Sequence, residues 1–106
     1  MNKIKEVEFF VAENGKCYIE EWLETLDLIT QARINNRFVR LQHGLYGDYK
    51  NIEGGLSELR FFFGSGYRVY FIEKNNKVIL LLNGGDKKSQ AKDIKQAQKI
   101  IKQIKI

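Results

Sequence analysis

The stretch LSELRFFFGSGYRVYFIEKNNKVILLLNGGDKKSQ, Leu56 to Gln90, decides how this chain folds. Two turn formers divide it, Gly64-Ser65-Gly66 and Asn75-Asn76. Glycine takes positive φ without steric cost, and asparagine tolerates the left-handed conformation that a type I′ turn requires. Between these punctuation marks, polarity alternates with the period of two that a strand imposes. The reading is three antiparallel strands in two hairpins, with loop length setting the register. A three-residue loop pairs Phe63 with Tyr67 and so sets Arg60 opposite Tyr70. A two-residue loop pairs Lys74 with Lys77, which sets Tyr70 opposite Leu81 and Arg68 opposite Asn83. In that register Glu58, Arg60, Arg68 and Tyr70 share an open face, on the side where Leu56 and Phe62 also point. Leu59, Phe61, Val69, Phe71, Leu80 and Leu82 share the other face, against which helices pack.

The run VILLLN is apolar at successive positions, as in a strand covered at least partly on both sides. The loop Gly84-Gly85-Asp86-Lys87-Lys88-Ser89-Gln90 follows it and opens a helix. Glycines allow close backbone approach, N–H groups gather at a helix start, and two lysines stand beside them, so a phosphate is a natural guest. The pattern is no Walker loop, and a plain turn fits it too. Ser89 or Asp86 can cap the helix. Its stripe of Ile94, Ala97, Ile101 and Ile104 faces inward, and Lys92, Lys95, Lys99 and Lys102 form a second stripe that reads as a solvated face.

Upstream, Ile4–Val11 reads as a first strand and Asn14-Gly15 as a turn. A helix from Cys17 to Leu26 buries Tyr18, Ile19, Trp22, Leu23 and Leu26, with Glu20, Glu21 and Glu24 opposite. A second helix from Thr30, its N-cap, to His43 carries Ile34, Phe38 and Leu41 inward and is stopped by Gly44. Arg33, Arg37 and Arg40 line a neighbouring stripe, either solvated or a contact surface. His43 sits where a cation complements the helix dipole. Tyr46–Gly55 reads as loop.

At 106 residues the chain is expected to form a single domain, residues 1–106, large enough for one core without staples. Eighteen Lys and Arg against thirteen Asp and Glu give +5 and a pI near 9.4. The charge is uneven: residues 1–30 carry −4, residues 31–85 carry +4, and residues 86–106 carry +5. A cationic surface after the first helix suits a polyanion. The one cysteine, Cys17, excludes an internal disulfide, and no zinc-type Cys/His spacing occurs, so neither metal nor cofactor is expected. No run approaches a membrane span and no signal-peptide core is present, which points to a reducing cytoplasm.

The chain lacks a Ser/His/Asp set and a nucleotide-binding fingerprint. Guanidinium and ammonium groups bind phosphate and stabilise charge that accumulates on a phosphorane. RNA carries its own nucleophile in the 2′-hydroxyl, so metal-free cleavage is open to such a site. Glu58 is a candidate base if its surroundings raise its pKa, whereas an arginine partner would lower it.

The runs ELRFFFGSGYRVYF and VILLLNGGDKKSQAKDIKQA resemble the RelE/HigB superfamily of type II toxin–antitoxin toxins, and within it the phage-derived, HigB-like addiction module killer group. The likeness covers most of the chain. It implies an α+β fold of the RelE type: a sheet of about four mainly antiparallel strands, two N-terminal helices and a C-terminal helix. It also implies a ribosome-dependent mRNA endonuclease restrained by a helix-turn-helix, HigA-like antitoxin. By this resemblance Arg68 matches the phosphate-contacting arginine and Arg60 a basic residue of the same cleft. Lys87 and Gln90 match the polar cluster after the last strand. The histidine or tyrosine that several members place near the end of that strand is replaced here by Gly84, Gly85 and Asp86, which leaves the general acid and base unassigned. The catalytic candidates are therefore Arg60, Arg68, Lys87 and Glu58, and the RNA-binding candidates Lys88, Gln90, Tyr70 and Lys92. Two other outcomes stay open: a ParE-like toxin that inhibits DNA gyrase without cutting RNA, and an inactive phage-derived interaction protein.

Overall fold

The structure, a computed structural model, describes residues 4–104. The elements in chain order are β1 (Glu6–Phe9), α1 (Tyr18–Glu24), α2 (Leu28–Gln42), β2 (Tyr49–Asn51), β3 (Ser57–Arg60), β4 (Arg68–Lys74), β5 (Val78–Gly85) and α3 (Gln90–Gln103). The strands form one sheet in the order β1-β5-β4-β3-β2. All neighbours are antiparallel except β1, which runs parallel to β5. The α+β architecture is as expected, with a fifth strand added to the expected four. That strand, β2, lies within the segment read as loop, and its three polar or exposed residues carry no alternation to betray it.

Helices cover both faces. On one, Ile19, Leu23, Ile34, Phe38 and Leu41 of α1 and α2 pack on Leu59, Phe61, Val69, Phe71, Ile79 and Leu81. On the other, Ala97 and Ile100 of α3 pack on Leu56, Tyr70, Ile72 and Leu82. Each aliphatic side chain buried in this way stabilises the fold by roughly 1.5–3 kcal/mol. The face expected to be open is therefore closed over most of its area by α3. Only the end bearing Arg60 and Arg68 escapes it.

The registers differ from the simple hairpin count. Arg60 pairs with Arg68 and Glu58 with Tyr70, a shift of two residues from the expected pairing. The β3–β4 connection is longer than Gly64–Gly66 because Phe61 to Tyr67 lie outside the ladder, held by Phe61 N–H donating to the Tyr67 carbonyl at 3.0 Å. A two-residue shift leaves the faces unchanged. The second hairpin slips by one residue at its turn, where Lys74 pairs with Val78, and a bulge between Tyr70 and Phe71 restores parity further along, with Tyr70 opposite Asn83. Asn75 and Asn76 both adopt the expected positive φ, 53° and 57°. The slip moves Leu80 and Leu82 off the α1/α2 face, where they were expected, onto the α3 face.

Two helix details also change. Asp27, not Thr30, is the N-cap of α2, its carboxylate accepting from the Thr30 N–H at 2.7 Å. A carboxylate is the stronger acceptor and reaches back over the same turn. Arg37 is not part of a solvated stripe: it donates to the carbonyls of Arg60, Tyr46 and Asp48 at 2.9, 3.0 and 3.1 Å. Its guanidinium also lies over the Phe61 ring, so it ties α2 to the entry and exit of the β2–β3 hairpin.

Candidate nucleic-acid interface

The end of the sheet left bare by α3 forms a shallow cleft of about 430 Å³ lined by Arg60, Phe61, Phe62, Gly64, Ser65, Gly66, Arg68 and Lys87. Strand pairing brings the arginines together, because Arg60 and Arg68 are cross-strand partners on one face. Like charges so placed repel, and each is matched by a carboxylate. Arg60 grips Asp48 through Nε and one terminal nitrogen, both at 3.1 Å. This planar fork holds Arg60 above the usual arginine range. Arg68 faces Glu58 at 3.6 Å from Nε and donates to the Gly66 carbonyl at 2.9 Å. Their exposures differ, 34% for the Arg60 side chain against 14% for Arg68.

Glu58 lies beneath the cleft, fully buried, and accepts from the Gln90 amide at 2.8 Å. Tyr70, its cross-strand partner, is buried too. Burial pushes the Tyr70 hydroxyl far above its usual range, and the Glu58 charge adds to the shift. The expectation that Glu58 and Tyr70 stand on an open surface is thus corrected, since α3 seals both. Three buried polar atoms without a protein hydrogen bond of good geometry, Arg68 Nε, Tyr70 OH and Asn83 Oδ1, belong to this same patch. Such groups cost stability unless a water or a ligand completes them.

The lysines come from the loop before α3. Asp86 accepts from the N–H groups of Lys88 and Ser89 at 2.9 and 3.1 Å, which folds the loop back. Ser89 is the N-cap residue, and its hydroxyl bonds the Asp93 carboxylate one turn on. Burial raises the pKa of Asp93. Lys87 donates its backbone N–H to the Ser65 carbonyl at 3.4 Å, so its exposed side chain stands at the glycine turn beside Arg68. Lys88 and Lys92 are exposed outside the cleft lining, and Gln90 points inward to Glu58 rather than outward.

Of the residues singled out by sequence, Arg60, Arg68 and Lys87 meet at the cleft, Glu58 and Gln90 support it from below, and Tyr70 is enclosed. Missed were Asp48, twelve residues from Arg60 and joined to it only by the β2–β3 hairpin, and Arg37, whose bonds go to backbone carbonyls. Phe62 was placed on the arginine face by alternation without a role. Among the described residues no group of His, Cys, Asp or Glu gathers to hold a metal ion, and no helix is long and apolar enough to cross a membrane.

A five-stranded sheet, two helices on one side, one on the other and a cationic end define the class. The fold is RelE-like. It is similar to Escherichia coli toxin RelE, a double arginine-to-alanine mutant in the free state, with a TM-score of 0.64 and 15% identity over 95% of this chain and 99% of that one. Residues 21–105 match the family described as phage derived protein Gp49-like, and the chain belongs to that family. It is 45% identical over 86 residues to an uncharacterized protein of Haemophilus influenzae, covering 80% of this chain and 87% of the other.

Proposed function

We propose that this protein is the toxin of a type II toxin–antitoxin pair and acts as a ribosome-dependent mRNA endonuclease, restrained by a helix-turn-helix, HigA-like antitoxin. The observation that carries this reading is the meeting of Arg60, Arg68 and Lys87 in one cleft. The toxin fold adds to it. In the reaction the 2′-oxygen bonds to its adjacent phosphorus and the bond to the 5′-oxygen breaks, leaving a cyclic phosphate and a 5′-hydroxyl. Arg60 and Arg68 take the charge that builds on the non-bridging oxygens, a role in which fixed donors outperform water. Lys87, on the solvent side, supplies the proton to the departing 5′-oxygen. Glu58 is bound to Arg68 and Gln90 below the surface and acts by aiming Arg68; the 2′-hydroxyl proton leaves to water. Alignment of the RNA by the ribosome then supplies much of the acceleration.

A second reading has its own support. Leu28 and Ile29 are adjacent, strongly exposed apolar residues at the α1–α2 corner, remote in sequence from the cleft and unused by RNA chemistry. Such a surface suits a protein target, as gyrase inhibition requires, or an interaction protein without activity. A translation reaction with mapping of mRNA 5′ ends separates these. Cuts within codons that vanish in Arg68→Ala are the expected result. Intact message with inhibited supercoiling would overturn it in favour of the gyrase reading, and intact message with no inhibition would leave only the interaction protein.

A further inference from the structure

Phe62 is 81% exposed, at the rim of the cleft and next to one of its arginines. Its neighbours explain why it is held there. Phe61 is buried under Arg37, and Phe63 packs edge-on against Phe61 and Tyr67 with Arg33 3.6 Å above its ring. With both flanking rings locked on the core side, the ring at position 62 has nowhere to go but outward. The turn that follows needs a glycine, because Gly64, at φ 58°, lies against the Tyr67 ring, where a side chain would collide. Phe62 is therefore an aromatic presented to solvent, with the Arg60 guanidinium 6.0 Å from its centroid.

Its surroundings indicate what it meets. Apart from Phe61, every residue lining the cleft with it is cationic, glycine or serine. An isolated ring among cations lacks the contiguous apolar surface of a protein-docking patch. It has the two ingredients by which single-stranded nucleic acid is held: a π-face for a base and fixed charge for the neighbouring phosphate. We infer that Phe62 is a stacking platform for an unpaired nucleobase of the RNA, adjoining the phosphate held by Arg60 and Arg68. This rests on the RNA-binding part of the function proposed above. It adds that the substrate is single-stranded and unstacked at the cut, and that an aromatic plane, not merely bulk, is required.

The test compares Phe62→Ala, Phe62→Leu and Phe62→Trp on programmed ribosomes. Loss of stacking lowers cleavage roughly 10- to 100-fold in the alanine and leucine variants, while the tryptophan variant stays within about 3-fold of wild type. Leucine restoring the rate, or alanine cutting like wild type, would overturn the inference. A second measurement does not depend on cutting: the fluorescence of Phe62→Trp, read as its difference from wild type, with uncleavable 2′-O-methyl RNA and with an abasic strand of equal length. Quenching by the RNA alone is expected; equal or absent quenching overturns the platform. If the wild type makes no cuts yet base-dependent quenching appears, the nuclease reading fails and the stacking site stands.

Discussion

Strand β4 ends in two charged clusters. At its C-terminal end, Glu73 accepts from both Lys5 Nζ and the Tyr46 hydroxyl, and Lys5 also donates to the backbone and side-chain oxygens of Asn76 at 3.1 and 3.0 Å. At its N-terminal end, Arg68 faces Glu58, which Gln90 also binds. The first cluster is closed: every charge has its opposite, and the cluster ties the start of β1 to the hairpin turn. The second is open, because Lys87 and the arginine pair outnumber Glu58 and Asp48 at the cleft. Burial pushes the Glu73 carboxyl up, but the bonds from Lys5 and Tyr46 outweigh it, so its pKa falls below the usual range. The bond to Glu73 in turn raises Lys5. Similar ingredients thus make a clasp at one end and, in the function proposed above, a phosphate site at the other; the difference lies in the surplus of cations.

The largest expected effect breaks the open end. Arg68→Ala should lower cleavage by about 100-fold or more, the scale of losing a fixed donor to a charged transition state. It should also destabilise the fold by about 2–4 kcal/mol, since Glu58 is then buried without its counter-charge. Adding Glu58→Gln should recover stability in urea melts without recovering cleavage; recovery of both would mean that Arg68 acts only through the fold.

Glu73→Gln probes the closed end and should do the reverse, costing about 1–2 kcal/mol with cleavage unchanged. Because Glu73 titrates lower in the folded chain than in the unfolded one, its contribution is complete above about pH 5 and drains away as pH falls through the folded value. Lys5, shifted upward, contributes fully at neutral pH and loses its share only above the ordinary lysine range. Wild type should therefore lose more stability than Glu73→Gln between about pH 5 and pH 3. Parallel curves in denaturant titrations at each pH would show that the clasp is inert.

Asp48→Asn sharpens the contrast between the two arginines. It removes the fork that aims Arg60 while leaving Arg68 untouched, so a fall of roughly 3- to 10-fold in the single-turnover rate is expected, with little change in KM. An unaltered rate would assign Asp48 to the hairpin alone. The smallest effect belongs to Lys92→Ala, outside the cleft. A decrease of under about 2-fold at low salt, absent at physiological salt, marks a screened surface charge; a larger loss that persists in salt would extend the site along α3.

The faces of β3 and β4 were legible because alternation and a two-residue register error share the same period, so the error cancelled. Arg60, Arg68 and Glu58 came out on one side for that reason. The one-residue slip at Asn75-Asn76 did not cancel, and it carried Leu80 and Leu82 to the opposite face. Burial was not legible either. Nothing in Glu58 or Tyr70 themselves announces that the C-terminal helix will cover them, and Lys92 and Gln90, close neighbours on that helix, end in solvent and in the site respectively.

Local chemistry alone determined every strand but β2, the turn residues, the helix stripes and the gathering of positive charge toward the second half of the chain. These follow from backbone sterics and side-chain periodicity, which act over a few residues. Tertiary structure alone decided which charges are paired and which are left over. Asp48 with Arg60, Glu58 with Arg68 and Glu73 with Lys5 are encounters between distant segments. Pairing depends on distance in space, and that is fixed only when the sheet closes and α3 settles on it.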